Sequence, residues 1–226
     1  MHFLKAIGPP GSLRFLLLGL AVGLALSYLW PRRRRLGLAW LMAVLAGYLL
    51  LSWPPVAQAL VAGLPAVVPT ALERVGALDV LVVFDGDNRR GRVHAVEAVI
   101  ATASPASVQV VGSRLILNDM SHGLVKRTSH HPATNTREQV QWLQRLAGRH
   151  PPDRIGVVVS RIQAPRTSAL IVKAVPGVRV IASALDAEVP ATGLGRILPS
   201  YAALCVSRDA LYEHAALLYY RWRGWT

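Results

Sequence analysis

Residues 155–181 read IGVVVSRIQAPRTSALIVKAVPGVRVI. Ile155–Val159 is a continuous apolar, β-branched run, the mark of a strand buried on both faces. Pro165–Val175 predicts a helix, and Val178–Ile181 a further strand. A strand, a helix and a second strand in this order bring the chain back parallel to itself. Toward the N-terminus the same alternation recurs. Val80–Phe84 (VLVVF) and Val108–Val111 read as strands. Gly91–Thr102 reads as a helix with Val93, Val96, Val99 and Ile100 at helical spacing. Asn135–Arg149 is another, with Val140, Leu143 and Leu146 on one face. The expected fold class is therefore α/β, with a parallel sheet covered by helices on both faces across residues 77–226. Roughly 150 residues suffice for one well-filled core.

The first 76 residues have another character. Leu13–Trp30 (LRFLLLGLAVGLALSYLW) carries a charge only at Arg14, and Leu36–Trp53 (LGLAWLMAVLAGYLLLSW) carries none. Each run has 18 residues, and a helix of that length spans about 27 Å, close to the roughly 30 Å bilayer core. Trp30 and Trp53 end the runs as interfacial aromatics do. A buried core helix pair is the competing reading, but two such adjacent runs are rare in soluble folds. Between the runs stand Arg32, Arg33, Arg34 and Arg35, which by the positive-inside rule hold the turn in the cytoplasm. Lys5 and Arg14 oppose this with fewer charges. A cleaved signal peptide would send the arginine block across the membrane, which disfavours that alternative. Residues 1–53 are thus expected to be a transmembrane hairpin, with all that follows on the far side of the membrane. Residues 54–76 are interrupted by Pro54, Pro55, Pro65 and Pro69. They read as a linker with short amphipathic pieces, either at the membrane surface or packed on the following domain.

Composition agrees with a membrane-attached α/β protein. Of 226 residues, 53% are hydrophobic and 16% charged, against about 25% charged in ordinary soluble domains. Disorder is excluded by that hydrophobicity. The lone Cys205 excludes an intrachain disulfide framework and a cysteine-rich zinc site. The net charge of +13 is shared almost evenly between the first 76 residues and the rest. Such an excess suits anionic lipid, an anionic ligand or nucleic acid. Nucleic acid is not an expected partner. No Gly-x-Gly-x-x-Gly turn follows the first strand, there is no basic-aromatic recognition motif, and the expected location holds no nucleic acid.

Ligands of open parallel sheets bind at the carboxyl ends of the strands. Three segments meet that condition: Asp85-Gly86-Asp87-Asn88-Arg89-Arg90-Gly91-Arg92, then Gly112-Ser113-Arg114, then Ser160-Arg161-Ile162-Gln163-Ala164-Pro165-Arg166. Thr134, Asn135 and Thr136 open a helix that reaches the same edge. Arginines and helix N-termini there suit a phosphate or another anion, with Arg92 and Arg166 expected to hold it and Asn135 and Thr136 to orient it. Local roles compete for several of these residues. Asp85 and Asp87 suit helix capping, and Asn135 or Thr136 suits an N-cap with Glu138 or Gln139 completing a capping box. Arg89, Arg90 and Arg161 also suit solvated surface. His122, His130 and His131 fall in a polar stretch without helical spacing or paired acids, so no metal site is expected. Ser160 lacks the Gly-x-Ser-x-Gly elbow of a hydrolase nucleophile.

The order VLVVF, Arg92, PATNTREQV (132–140), VVVSRIQAPRT (157–167) and the terminal ALYEHAALLYYRWRGW (210–225) resembles the YdcF-like domain family of bacterial envelope proteins, the group that includes the SanA and ElyC types. The two apolar runs before the domain resemble the ElyC type. The resemblance implies a Rossmann-like parallel sheet domain preceded by an N-terminal transmembrane hairpin. It implies a multi-pass protein of the bacterial inner membrane whose soluble domain faces the periplasm. The implied work is cell-envelope biogenesis, in peptidoglycan and envelope polysaccharide metabolism, with the bilayer and an anionic, lipid-linked precursor as partners. By position, the family's first Gly-rich turn falls on Asp85, Gly86 and Asp87, and its second is reduced to Gly112 and Ser113. Its Ser-x-x-His-x-x-Arg pattern falls on Ser160, Gln163 and Arg166, with Gln163 in place of histidine. Gln can hydrogen-bond but cannot shuttle protons near neutral pH. Arg92, Asn135, Thr136, Arg166 and Glu213 match. No catalytic residue or cofactor is implied. The alternative is metal-assisted phosphoryl or glycosyl transfer, or hydrolysis, with Asp85 and Asp87 holding a divalent ion. The tail Asp209–Trp225 is expected to be a helix that either meets the membrane interface or packs on the domain.

Overall fold

Four of the strands grow from the aliphatic runs picked out in the sequence. In a computed structural model, residues 12–29, 34–66, 78–84, 89–102, 108–112, 117, 128–130, 135–183 and 193–225 are described. They fall into two units, Met1–Leu64 with Ala187–Ala216, and Pro65–Asp186 with Leu217–Thr226.

The second unit holds the sheet. Its strands are β1 (Val80–Val83), β2 (Gln109–Gly112), β3 (Thr128–His130), β4 (Ile155–Ser160) and β5 (Arg179–Ser183). All pair in parallel in the order β3-β2-β1-β4-β5. Val80 lies opposite Gln109 on one side and Ile155 on the other. The α/β parallel architecture matches the sequence expectation, but β3 does not appear there. Its residues, Thr-Ser-His, carry no aliphatic signal, and as an edge strand it needs none.

Strand alternation sorts the core into two layers. Leu81 and Val83 of β1 and Val158 of β4 cluster with Val93, Val96 and Val99 of α4 (Arg89–Thr102). Val80 and Val82, with Ile155, Val157 and Val159, face the other way. They meet Val140 and Leu143 of α5 (Thr136–Ala147) and Leu170 and Ile171 of α6 (Ala164–Ala174). The sheet is therefore covered on both faces, which explains why β1 and β4 are uninterrupted apolar runs. Gly156 keeps the α4 layer close: a Cβ there would come within 2.9 Å of Leu78 and 3.0 Å of Leu81.

The first unit contains α1 (Leu13–Leu29), α2 (Arg34–Leu51), α3 (Pro54–Ala62), a 3₁₀ turn (Leu194–Arg196) and the start of α7 (Tyr201–Trp222). Helices α1 and α2 run antiparallel along a seam of small residues. Gly19 faces Val44, Gly23 faces Leu41 and Trp40, and Gly37 faces Ser27. The indole of Trp40 donates to the Gly19 carbonyl at 2.9 Å, and the Tyr48 hydroxyl donates to the Ser12 carbonyl at 2.5 Å. The buried residues of the pair are Gly19, Gly23 and Gly37, while most of its leucines are exposed. By length and composition α2 is long and apolar enough to cross a bilayer, and α1 is shorter at 17 residues. Within the 54–76 stretch, α3 opens with Pro54 and Pro55 in its first turn and ends at Gly63. The His214 ring meets the Leu60 carbonyl at 2.9 Å.

Helix α7 starts eight residues before the expected Asp209 and passes from the first unit to the second after Ala216. Ser200 caps it, its hydroxyl accepting from the Ala203 amide at 3.1 Å. At its far end Gly224 takes φ 66°. The Gly224 amide bonds to the Arg221 carbonyl and the Trp225 amide to the Tyr220 carbonyl, each at 2.9 Å, a Schellman stop. The stop folds Trp225 back onto Tyr220, with ring centroids 5.1 Å apart, and both rings pack on the α5–α6 layer. Of the two roles expected for the tail, packing on the domain is the one these two rings adopt.

Candidate anion site at the carboxyl edge of the sheet

From β1 the chain steps outward through β2 and β3, then returns to β4 on the other side of β1. The switch point lies between the carboxyl ends of β1 and β4, where ligands of such sheets bind. Arg92, in the second turn of α4, spans it. Its guanidinium donates through Nη1 to the Phe84 carbonyl, just beyond β1. Through Nη2 it donates to Gln163 Oε1 at 2.9 Å, just beyond β4. Arg92 is completely enclosed. It therefore acts as a strut between the two loops, holding the edge open in one shape, and presents no free surface to solvent. Gln163, standing where the resemblance expects histidine, supplies the acceptor for this strut.

The β4–α6 turn is built by Ser160, whose hydroxyl accepts from the Gln163 amide at 3.3 Å. That bond fixes the tight reversal from strand to helix, with Pro165 in the first turn of α6. One step on, the buried Arg166 donates from Nη1 to Thr136 Oγ1 at 2.9 Å and to the Tyr220 hydroxyl at 3.4 Å. Its guanidinium also lies 5.2 Å from the centre of the Tyr220 ring, an additional attraction for a desolvated cation.

Thr136 is the first residue of α5, and Asn135 is its N-cap, the side chain accepting from the Glu138 amide at 3.0 Å. Of the expected caps the structure uses Asn135, which leaves Thr136 free to meet Arg166. The first turn of α5 carries the partial positive charge of the helix dipole, and Arg166 adds a full one. One turn further in, Gln139 is buried and its Oε1 has no hydrogen-bond partner among the described residues. An unmatched buried acceptor costs about 1–3 kcal/mol and would be relieved by a donor arriving at this end of the helix.

On the other flank Gly112 ends β2 beside His130 of β3. A Cβ at Gly112 would make only ordinary contacts, 3.5 Å to Leu117 and 3.6 Å to Val83, so packing alone does not demand glycine there. Asp85, Gly86, Asp87, Ser113, Arg114, Thr134, His122 and His131 lie outside the described residues. Glu213 is buried on α7, in the part that clusters with the N-terminal helices. No group of three or more metal-ligating side chains occurs among the described residues.

The structure thus brings Arg92, Ser160 and Gln163 together, and separately Thr136 and Arg166 with the N-terminus of α5. Sequence reasoning missed Tyr220 as a partner of Arg166 and Trp225 as the lid on Arg137, whose guanidinium is 4.3 Å from the Trp225 ring centre. The tail's aromatic density was the available signal, but nothing local in the sequence pairs it with α5 and α6. No protein-family model matches the chain, and no curated protein matches its sequence.

Proposed function

We propose that this protein is a membrane-anchored factor of bacterial envelope biogenesis, held in the inner membrane by α1 and α2, whose α/β unit binds an anionic, lipid-linked precursor outside the cytoplasm. The anchoring reading is supported by the inverted burial of the helix pair, with three glycines inside and most leucines exposed. That arrangement suits lipid, where close backbone packing replaces the hydrophobic effect. The observation that carries the ligand reading is the Arg166–Thr136 contact at the first turn of α5, a charge, a hydroxyl and a helix N-terminus at one strand edge. Arg166 and Thr136 meet the anion, Asn135 fixes the helix start, and Arg92 acts through Gln163 and Ser160 to position the loops. Asp85, Gly86 and Asp87, which lie outside the described residues, join Gly112 and Glu213 in the ligand set on the strength of the resemblance alone. The envelope assignment itself rests on the YdcF-like resemblance of residues 132–140, 157–167 and 210–225.

Two experiments test the proposal. A reporter fused after Thr226 is active only when exported; activity of a cytoplasm-specific reporter alone overturns the topology. Full-length protein in vesicles is then titrated with a polyprenyl pyrophosphate and with the uncharged polyprenol. The charged lipid binds, and Arg166→Ala weakens that binding about tenfold or more, the worth of a charge-assisted hydrogen bond. Equal binding of both lipids refutes the anion site.

A further inference from the structure

The geometry points to a second membrane contact: the turn Arg196–Tyr201 is an interfacial wedge that inserts into the bilayer surface beside the end of α2. This rests on the reading that α1 and α2 cross the membrane. The turn is fixed in place by backbone bonding. The Ser200 amide donates to the Ser52 carbonyl at 2.8 Å, and Ser52 is the first residue beyond α2. The hydroxyl of Ser200 is meanwhile committed to capping α7 at the Ala203 amide. The residues 196–201 are therefore held where the apolar helix ends, which is where a membrane-spanning helix meets the headgroups.

The side chains there are the wrong ones for water. Ile197 is 62% exposed, Leu198 56%, Tyr201 79% and the neighbouring Trp53 41%. Two aliphatics, a tyrosine and a tryptophan, on segments joined by the Ser200–Ser52 bond, form the apolar-and-aromatic composition of an interfacial belt. Arg196 is exposed at the start of the turn, and no acidic residue occurs between Glu188 and Asp209. That charge pattern matches lipid phosphates. Pro199 removes a donor from a backbone that lies partly in lipid. The wedge would bury its apolar side chains to about 5–10 Å, the depth of the headgroup and acyl boundary. Its consequence is an attachment point besides the hairpin, contributed by a segment about 140 residues downstream of it.

The test uses the full chain with Cys205→Ser, reconstituted in vesicles of phosphatidylethanolamine and phosphatidylglycerol. An environment-sensitive fluorophore is attached at Ile197→Cys and, in a second sample, at Leu198→Cys. Nitroxide lipids quench from near the headgroups or from the bilayer centre, and iodide quenches from water. A wedge gives about twofold stronger quenching by the headgroup-level nitroxide than by the central one, with protection from iodide. Quenching by iodide with none from lipid overturns it, and so does shielding from both, which means that protein covers the turn. A fluorophore at Met42→Cys, on the outward face of α2, is the reference. If Met42→Cys is quenched from the bilayer centre while position 197 sits in water, the wedge alone fails. If Met42→Cys is not quenched by lipid, the membrane-crossing reading fails and the wedge with it.

Discussion

Gly37 and Gly47 lie ten residues apart on α2, and the same substitution at each has opposite expected consequences. A Cβ at Gly37 runs into the Ser27 hydroxyl and comes within 2.7 Å of the Ser27 amide nitrogen and 2.8 Å of the Gly23 carbonyl oxygen. Two of these are backbone atoms, so no side-chain rotation relieves the clash. Ordinary contact begins at 3.4 Å, so the helices must part by at least several tenths of an ångström. A gap of about 0.5–1 Å forfeits a quarter to a half of each dispersion contact along the seam. Overpacking of this kind costs about 1–3 kcal/mol, against about 0.5–1 kcal/mol regained because alanine favours helix over glycine. The net expectation for Gly37→Ala is a loss of about 1–2 kcal/mol. At Gly47 nothing lies within 4 Å of the added carbon, so Gly47→Ala keeps the helix gain of about 0.5–1 kcal/mol. The assay is thermal unfolding of the full chain in detergent micelles, followed by helix circular dichroism. The indole proton resonance of Trp40, which reports its bond to the Gly19 carbonyl, is followed alongside. Gly37→Ala lowers the midpoint and moves the Trp40 resonance toward an unbonded value; Gly47→Ala raises the midpoint slightly and leaves Trp40 alone. Equal behaviour of the two variants, or an unmoved Trp40 in Gly37→Ala, refutes the seam.

Three other outcomes follow from the fold. Arg92→Met removes hydrogen bonds to the Phe84 carbonyl and Gln163, and at about 1.5–3 kcal/mol for each bond to a charged group the loss is about 3 kcal/mol or more. Gln163→Leu removes only the second and costs less, and denaturant unfolding of both variants reads the difference. Gly224→Ala forces a side chain into a left-handed turn at φ 66° with no steric neighbour, so its cost is the backbone term alone, about 1–2 kcal/mol, measured as a lower thermal midpoint. The Cys205 thiol, one turn from Tyr201, holds the Tyr201 phenol above the usual tyrosine value, first through their hydrogen bond and then through its charge. At a pH where an isolated tyrosine is half ionised, Tyr201 is therefore less than half ionised. The tyrosinate absorbance step that Tyr201→Phe removes, and so assigns to Tyr201, moves to lower pH in the single variant Cys205→Ala; no movement contradicts the pairing.

What was legible in the sequence follows from what each element buries. β1, β2, β4 and β5 are read from Val and Ile runs because strands buried on both faces leave no polar gap. Helix α5 is read from Val140 and Leu143, one inward face of an otherwise polar helix. β3 hides because three polar residues at a sheet edge carry no pattern. The start of α7 at Tyr201 was readable in principle, since Ser200 after Pro199 is an N-cap signal, but the apolar YAALCV that follows masks helical spacing. At the site, Asn135 and the Ser160–Arg166 turn could be marked from fold logic alone. The pairings of Arg92 with Gln163 and of Arg166 with Tyr220 join residues 71 and 54 positions apart. Only the finished fold makes such pairs, so no local pattern encodes them.

The α/β unit is assembled from two stretches of chain, and the order of their synthesis has a cost. Pro65–Asp186 emerges first, but the Tyr220 and Trp225 rings that pack on α5 and α6 belong to Leu217–Thr226. Between them come the 30 residues Ala187–Ala216, which belong to the other unit. Trp225 follows Asp186 by 39 residues, so at roughly 5–20 residues per second the α5–α6 layer waits about 2–8 seconds with part of its apolar surface uncovered. A nascent chain stalled or cleaved inside that interval leaves a sheet with one layer open, a species suited to capture by a chaperone or a quality-control protease rather than to function.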